Sequence, residues 1–572
     1  MRKVRLLDRL MARAARLHAR RCLHQLFRAA DRAAAVQDAR LLEKVRRNAD
    51  SDFGRDHGFD EIRCYDDFAR HVPILRYEDH APYVERVKRG EPQALFGPRE
   101  RVLMFALTSG TTSEPKYIPV TQTFLNETRR GWNAFGMKAL LDHPDAFLRV
   151  ILQVTSRMDE HRTEAGIPCG AITGLMARTQ KRIVRRYYCT PLVVAEIDDA
   201  RAKYYTIMRL ALPEDVAFMI TANPATQLKL ARTAEAHAEQ LIRDIHDGTL
   251  WDALPIDEPI RAALAPRLGP RPETARRLER IAADRGRLLP KDYWHLSFLA
   301  NWLGGTMGLY LREFPAYFGE TPVRDIGLIA SEGRISVPTE DATPAGLLEI
   351  TSHFYEFVPR EEHDAARPTA LRAHEVELGK EYFILLTTSS GLYRYDIGDL
   401  VRVVGFRGEA PVIEFLSRGS HISSLAGEKL TEHQVIEAMH RAARCCGAPI
   451  DMFVLAARWG DPPYYVLHVE PVGRSADFAA QLASDLDRAL IDGNIEYASK
   501  RRTGRLGEVR ANVLPPGFLA ALDTRLRERY RSTNEQYKHQ YLYAQPGADD
   551  GFPMDPEAAG LRNTENPSLR SG

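Results

Sequence analysis

Hydroxyl side chains crowd a glycine at Thr108-Ser109-Gly110-Thr111-Thr112-Ser113, and the chain continues Glu114-Pro115-Lys116. Backbone and side-chain donors gathered in such a loop can hold phosphate oxygens, and Lys116 adds a positive charge. The Gly-Lys-Ser/Thr ending of a Walker A loop is missing, and by composition alone such a stretch is more often only a loop. No Gly-x-Ser-x-Gly elbow surrounds Ser109, so a hydrolase nucleophile is not indicated. Glu332 follows the apolar run 326–329 and sits between Ser331 and Gly333. A carboxylate at a strand end suits Mg²⁺, which takes oxygen ligands, although a surface turn is the plain alternative. Asp399 follows Ile397-Gly398, a pairing common in hairpin turns. Arg418 ends a strand-like run, where its fork of donors can bind phosphate or ribose oxygens or form a structural ion pair. Lysines are scarce, 13 against 66 arginines, which singles out Lys429 and Lys538 as flexible point charges.

The elements that position these residues alternate between helix and strand. Apolar residues 102–107 read as a strand delivering the loop at 108–116. A helix is bracketed by Asn223 as cap, Pro224 in its first turn and Asp247-Gly248 as stop. Between 381 and 416 the runs 382–387, 392–395, 400–404 and 412–416 are short, β-rich and separated by tight turns, so antiparallel pairing is expected. After Arg418 comes a flexible stretch, then a helix capped by Thr431 with Gln434 three residues on. Strands at 452–456 and 464–469 and a helix near 477–491 complete a smaller α+β domain. The fold class is α/β: a large N-terminal domain (1–417) with a β-rich subdomain, a small mobile C-terminal domain (418–543), and a Pro/Gly/Asp/Asn-rich tail (544–572) expected to be disordered. The stretch 294–310, with Trp294, Trp302 and Tyr310, is expected to pack in the core, with an acyl pocket as the alternative.

Composition narrows the function classes. The 572 residues carry 79 basic and 77 acidic side chains, a formal net charge of +2, which argues against a dedicated nucleic-acid binder. No run of about 18 apolar residues is present, so no stable membrane insertion is expected. The six cysteines form no C-x-x-C pair, which points away from disulfides and zinc and toward buried thiols in a reducing, cytoplasmic setting. His353, His363 and His374 lack metal-ligand spacing and read as structural. The N-terminal 30 residues hold nine Lys or Arg around Leu6, Leu10, Ala14 and Leu17. A packed or solvated helix is favoured there over a targeting segment.

The string 107–116 resembles the phosphate loop of the acyl-adenylating superfamily. Its continuation Ile118-Pro119-Val120-Thr121 is similar to the acyl-acid amido synthetases of the auxin-responsive Gretchen Hagen family. Further strings in matching order are His57-Gly58-Phe59, Val72-Pro73-Ile74 with Tyr77-Glu78, Asn223-Pro224, Asp247-Gly248-Thr249-Leu250 and Ala330-Ser331-Glu332-Gly333. Tyr355-Glu356-Phe357-Val358-Pro359, Gly391-Leu392-Tyr393-Arg394-Tyr395 with Gly398-Asp399, Gly427-Glu428-Lys429 and Gln536-Tyr537-Lys538 follow. The resemblance runs from residue 40 to residue 540 or so.

The resemblance implies adenylation of a carboxylic acid with ATP and Mg²⁺, then acyl transfer to an amine, in first place an amino acid. A thiol or alcohol acceptor, or nucleotide binding without turnover, are the alternatives. It implies that Thr108, Ser109, Gly110, Thr111, Thr112 and Lys116 hold the polyphosphate. Glu332 and Thr111 would hold the metal, and Ser331, Tyr395, Asp399 and Arg418 the nucleotide. Lys538 would act on the transferring phosphoryl group, with Lys429 as the second candidate. Leu328 stands where the family usually has an aromatic near adenine, and His539-Gln540 stand in place of Pro-Arg.

Overall fold

The computed structural model describes residues 6–108, 116–304, 307–363, 365–418, 422–446, 450, 452–470, 476–531 and 540–554. The chain divides into two compact units, Met1–Leu107 with Lys116–Gly419, and Thr108–Pro115 with Ser420–Gly572.

The larger unit is built on three sheets. Four parallel strands, Val150–Gln153, Val216–Ile220, Phe298–Asn301 and Val323–Asp325, lie in that order. Strands covered on both faces read as unbroken apolar runs, and Val216, Ala217, Phe218 and Met219 are all buried. A second sheet places Val102–Thr108 between Lys116–Thr121 and Pro168–Gly170, with His161–Arg162 at the edge. The third has seven antiparallel strands in the order Ser336–Val337, Gly346–Leu348, Ala410–Arg418, Tyr395–Arg407, Glu381–Thr387, Phe354–Pro359 and Leu371–Arg372. One core cluster ties all three together, running from Met104 and Ala217 to Ile384 and Val401.

Three local expectations change here. The helix expected from 224 to 247 is two helices, Pro224–Ala236 and Ala238–Asp247, because His237 leaves the helical region (φ −117°, ψ 27°). The run 392–395 is a turn before the strand Tyr395–Arg407, which also absorbs 400–404. Arg394 adopts φ +42° in that turn, a strained conformation for a residue with a side chain. The thiols are only partly buried: all six cysteines are free, Cys169 and Cys189 are buried, and Cys64 and Cys445 are exposed. The N-terminal segment is a helix over Leu6–Ala30 that buries Ala19, Leu23, Leu26 and Ala30 along one face. No helix among the described residues is long and apolar enough to cross a membrane.

In the smaller unit the hairpin Phe453–Arg458 and Tyr464–Val469 is flanked by the parallel neighbours Leu542–Tyr543 and Arg510–Val513. The helices Glu432–Cys445 and Ala476–Gly493 supply Val435, Met439, Leu482 and Leu486 to one core with Leu455 and Leu467. Thr431 opens the first of these helices with the expected capping box to Gln434. The expectation of disorder from residue 544 fails over 544–554. Asp549 is fully buried, bonded to His468 at 2.7 Å and to Arg458 at 2.8 Å, and Phe552 packs against Val454 and Leu519. Several buried polar contacts and one aromatic ring anchor a stretch whose polar composition reads as tail.

Candidate active site

The strand Val102–Thr108 carries the chain outward on the buried residues Met104, Phe105 and Ala106, and Lys116–Thr121 brings it back alongside. Ser109, Gly110, Thr111 and Thr112 lie outside the described residues, as does the side chain of Thr108. At the returning end, the Lys116 ammonium stands 5.2 Å from the ring centroid of Tyr77. The Tyr77 hydroxyl accepts a 2.8 Å hydrogen bond from the Tyr117 amide. Burial outweighs the bond to Tyr117 and holds this hydroxyl above the usual phenol range.

Glu332 sits in the turn of a two-residue hairpin in which Ile329 pairs with Arg334 and Ala330 with Gly333. It is fully buried, and neither carboxylate oxygen has a hydrogen-bond partner among the described residues. An ionised carboxylate in that state costs several kcal/mol unless a cation or donors arrive. It is backed from behind: a Cβ on Gly333 would stand 3.1 Å from the His353 ring, tighter than most side-chain contacts, so a larger residue there would press on the ring. His353 stacks on Phe124, and burial, with Lys44 and Arg130 nearby, keeps its imidazole neutral. Beneath it, Lys44 bonds Glu127 at 2.6 Å, the Ser352 carbonyl at 2.6 Å and the Ser389 hydroxyl at 3.2 Å. His353 is structural as expected, packing behind the hairpin that carries Glu332. Ser331 flanks Glu332 half-buried, and the Leu328 carbonyl accepts from the Ile335 amide at 2.8 Å.

Asp399 and Arg418 are direct partners across the antiparallel strands Tyr395–Arg407 and Ala410–Arg418. Asp399 is 4% exposed. Tyr395 is buried, edge-on to His80 at 5.8 Å, and a backbone bridge to Leu75 brings this strand beside the segment that leads to Tyr77. Arg394 has a different role. Its guanidinium grips Glu356 at 2.8 Å and the Val72 carbonyl at 2.9 Å, binding the N-terminal segment to the sheet. Next along, Asp396 bonds His363 at 2.8 Å and caps the Gly398 amide at 2.8 Å.

In the smaller unit, Glu428 is buried and accepts the Leu425 and Ala426 amides at 2.7 Å each, which shapes the turn that presents Lys429. Lys429 has φ +46° and faces Glu496 at 3.8 Å. Lys500 lies beside the same turn, where a Cβ on Gly427 would stand 3.4 Å from its Cε. Burial, then Arg505, draws its ammonium down to about 7. Lys538 lies outside the described residues.

Within the larger unit the fold thus brings Lys116 to Tyr77, buries Glu332 in a hairpin turn, and sets Asp399 opposite Arg418. Tyr77 sits in a family-like string, but its contact with Lys116 was not foreseen. Arg334 and Lys500 were missed altogether; the signal for Arg334 is a charged residue inside the otherwise apolar and small run 333–337.

The chain matches the GH3 family N-terminal domain over residues 22–323, the central domain over 346–418 and the C-terminal domain over 433–546. It is 26% identical over 513 residues to a jasmonoyl–L-amino acid synthetase of Nicotiana attenuata, JAR6, covering 85% of this chain and 87% of that one. It is 26% identical over 530 residues to an indole-3-acetic acid-amido synthetase of Oryza sativa subsp. indica, GH3.8, covering 88% and 87%. The solved AtGH3.15 acyl acid amido synthetase in complex with 2,4-DB shares its fold, with a TM-score of 0.65 at 20% identity and 95% of each chain covered. The chain belongs to the GH3 family, the acyl-acid amido synthetase branch of the acyl-adenylating superfamily, and is an ATP-dependent, acyl-adenylate-forming ligase.

Proposed function

We propose that this ligase adenylates a small carboxylic acid and transfers the acyl group to the amine of an amino acid. The observation that carries the reading is Glu332, a fully buried carboxylate in a hairpin turn whose oxygens have no hydrogen-bond partner among the described residues. The relatives' names, jasmonoyl–L-amino acid and indole-3-acetic acid-amido synthetase, support an amino acid as acceptor.

The donor set fits Mg²⁺. The buried Glu332 carboxylate has no hydrogen-bond partner among the described residues, and Mg²⁺ is usually held by one or two carboxylates plus substrate phosphates. Glu332 and Thr111 would hold it, and when bound it offsets charge on the phosphate oxygens. Ser109, Thr111, Thr112 and Lys116 hold the polyphosphate through hydroxyl, amide and ammonium donors. Asp399 accepts hydrogen bonds from the ribose, and Arg418 binds nucleotide oxygens. The acid's carboxylate attacks the α-phosphorus and expels pyrophosphate, with Lys538 offsetting the developing charge and Lys429 as the second candidate. An amine then attacks the acyl carbon and AMP leaves. The residues act by positioning and by electrostatics, with no covalent enzyme intermediate.

The test is ATP–pyrophosphate exchange over aryl, indolyl and fatty acids without amine, comparing wild type with Glu332→Ala. Exchange with one acid class that falls at least about 10²-fold in the variant supports the reading. Equal exchange in both proteins removes Glu332 from the chemistry. An amino-acid screen with mass detection of the amide then identifies the acceptor, and thioester or ester products in its place would overturn that half.

A further inference from the structure

Two residues beyond Glu332, on the same hairpin, stands a buried cation that the chemistry above does not use. Arg334 is 1% exposed. Its guanidinium lies 4.5 Å from the ring centroid of Trp132 and 5.3 Å from that of Phe135, both on the helix Gln122–Asp142. Gly131 on that helix makes the berth, since a Cβ there would stand 2.5 Å from the Arg334 Cδ. Only Nη2 is engaged, donating to the Ile326 carbonyl at 2.7 Å. Nε and Nη1 have no acceptor among the described residues.

The neighbouring carboxyls do not answer this charge directly. Asp325 and Glu349 act on Arg334 through space but bond elsewhere. The Asp325 oxygens accept the Leu303 amide at 2.6 Å and the Gly327 amide at 2.5 Å, and burial pushes its carboxyl up to about 6. Burial likewise pushes Glu349 up, and its carboxyl is engaged by the Ser352 and Thr351 hydroxyls rather than by Arg334. Burial also draws the Arg334 guanidinium down to about 9. Two guanidinium donors with no acceptor among the described residues, beside two aromatic rings and adjoining a candidate metal ligand, describe a berth for an anion with an apolar body.

We propose that Arg334 sets acid selectivity: its unmet donors take a second carboxylate on the acyl substrate, so the preferred acids are dicarboxylates whose carbon body lies against Trp132 and Phe135. This rests on the adenylation reading above. A site built to bond a polar group rejects the analogue that lacks it far more strongly than an apolar pocket rejects a missing methylene. A purely structural Arg334, bridged to Glu349 by water, would affect stability and leave the choice of acid untouched.

The experiment is ATP–pyrophosphate exchange with paired acids that differ only in a second carboxylate against a methyl: adipate with hexanoate, suberate with octanoate, and terephthalate with 4-methylbenzoate. Wild type, Arg334→Met and Arg334→Lys are compared. The expected result is a kcat/KM ratio favouring the diacid at least about 10²-fold in one pair, reversed in Arg334→Met and partly kept in Arg334→Lys. Wild-type exchange that favours the monoacid in every pair, or a ratio unchanged in Arg334→Met, overturns this inference and leaves adenylation standing. No exchange with any acid of either kind overturns both.

Discussion

At the residue scale, the string Tyr393-Arg394-Tyr395 shows how adjacent side chains part company. Tyr395 belongs to the wall near Tyr77, whereas Arg394 closes a buried ion pair with Glu356, the two side chains 8% and 1% exposed. Glu356 also accepts the Tyr65 hydroxyl at 3.0 Å. Removing one partner of such a pair leaves an uncompensated buried charge, a cost of about 3–5 kcal/mol. Arg394→Met should therefore destabilise the protein by that amount in urea unfolding. Adding Glu356→Gln should restore part of the loss, because the orphaned charge goes with it. A cost below about 1 kcal/mol for the single variant would mean that the pair is not sealed from water. Sequence marked both residues as family-like; only the contact tells that one of them holds the backbone.

At the element scale, the helix Gln122–Asp142 carries Glu127, Gly131, Trp132 and Phe135 into the site's surroundings. Its start is fixed by Thr121, whose hydroxyl accepts the Phe124 amide at 3.1 Å and donates to the Ser389 carbonyl at 3.0 Å. One hydroxyl thus ends a strand, caps a helix and ties both to the turn beyond Glu381–Thr387. Thr121→Ala should cost about 1–2 kcal/mol, and Thr121→Ser should recover most of it, read from thermal or urea midpoints. Near-identical midpoints for wild type and the alanine variant would show that water replaces the cap. The cap at Thr431 and the stop at Gly248 were legible because they depend on neighbours in sequence. The break at His237 was not, since the flanking residues keep helical periodicity across it.

At the scale of the whole molecule, two units each close a core of their own. The smaller one draws on the last described stretch for its closure. His468 lies between Asp549 at 2.7 Å and Asn512 at 2.9 Å, and Phe552 packs 4.8 Å from its ring. A chain stopped after Ala544 should be less stable than one stopped after Met554 by at least about 3 kcal/mol, combining a lost buried aromatic with the loss of the Asp549 carboxylate from buried His468 and part-buried Arg458. Burial raises the Asp549 carboxyl, but bonds to His468 and Arg458 outweigh it and hold the group below its ordinary value. The stabilisation is therefore present above about pH 4 and lost as pH falls through the lower folded value, so the gap between the two chains should narrow in acid. A gap that is constant from neutral pH downward would remove the ion pair from the account.

What sequence determined by itself follows from short-range chemistry. Apolar periodicity marked the strand Val102–Thr108 and the antiparallel runs after residue 381. Side-chain capping marked the helices at Asn223 and Thr431, and residue types at matched spacing brought Lys116, Glu332, Asp399 and Arg418 into view. What the tertiary structure decided was which groups meet. That Glu332 is buried with no bonding partner among the described residues, that Gly333 rests on His353, and that Arg334 lies against Trp132 and Phe135 are relations between segments up to about 200 residues apart. A charged side chain reads the same in sequence whether water or protein surrounds it. Burial changes its energy, and burial is a property of the packed chain.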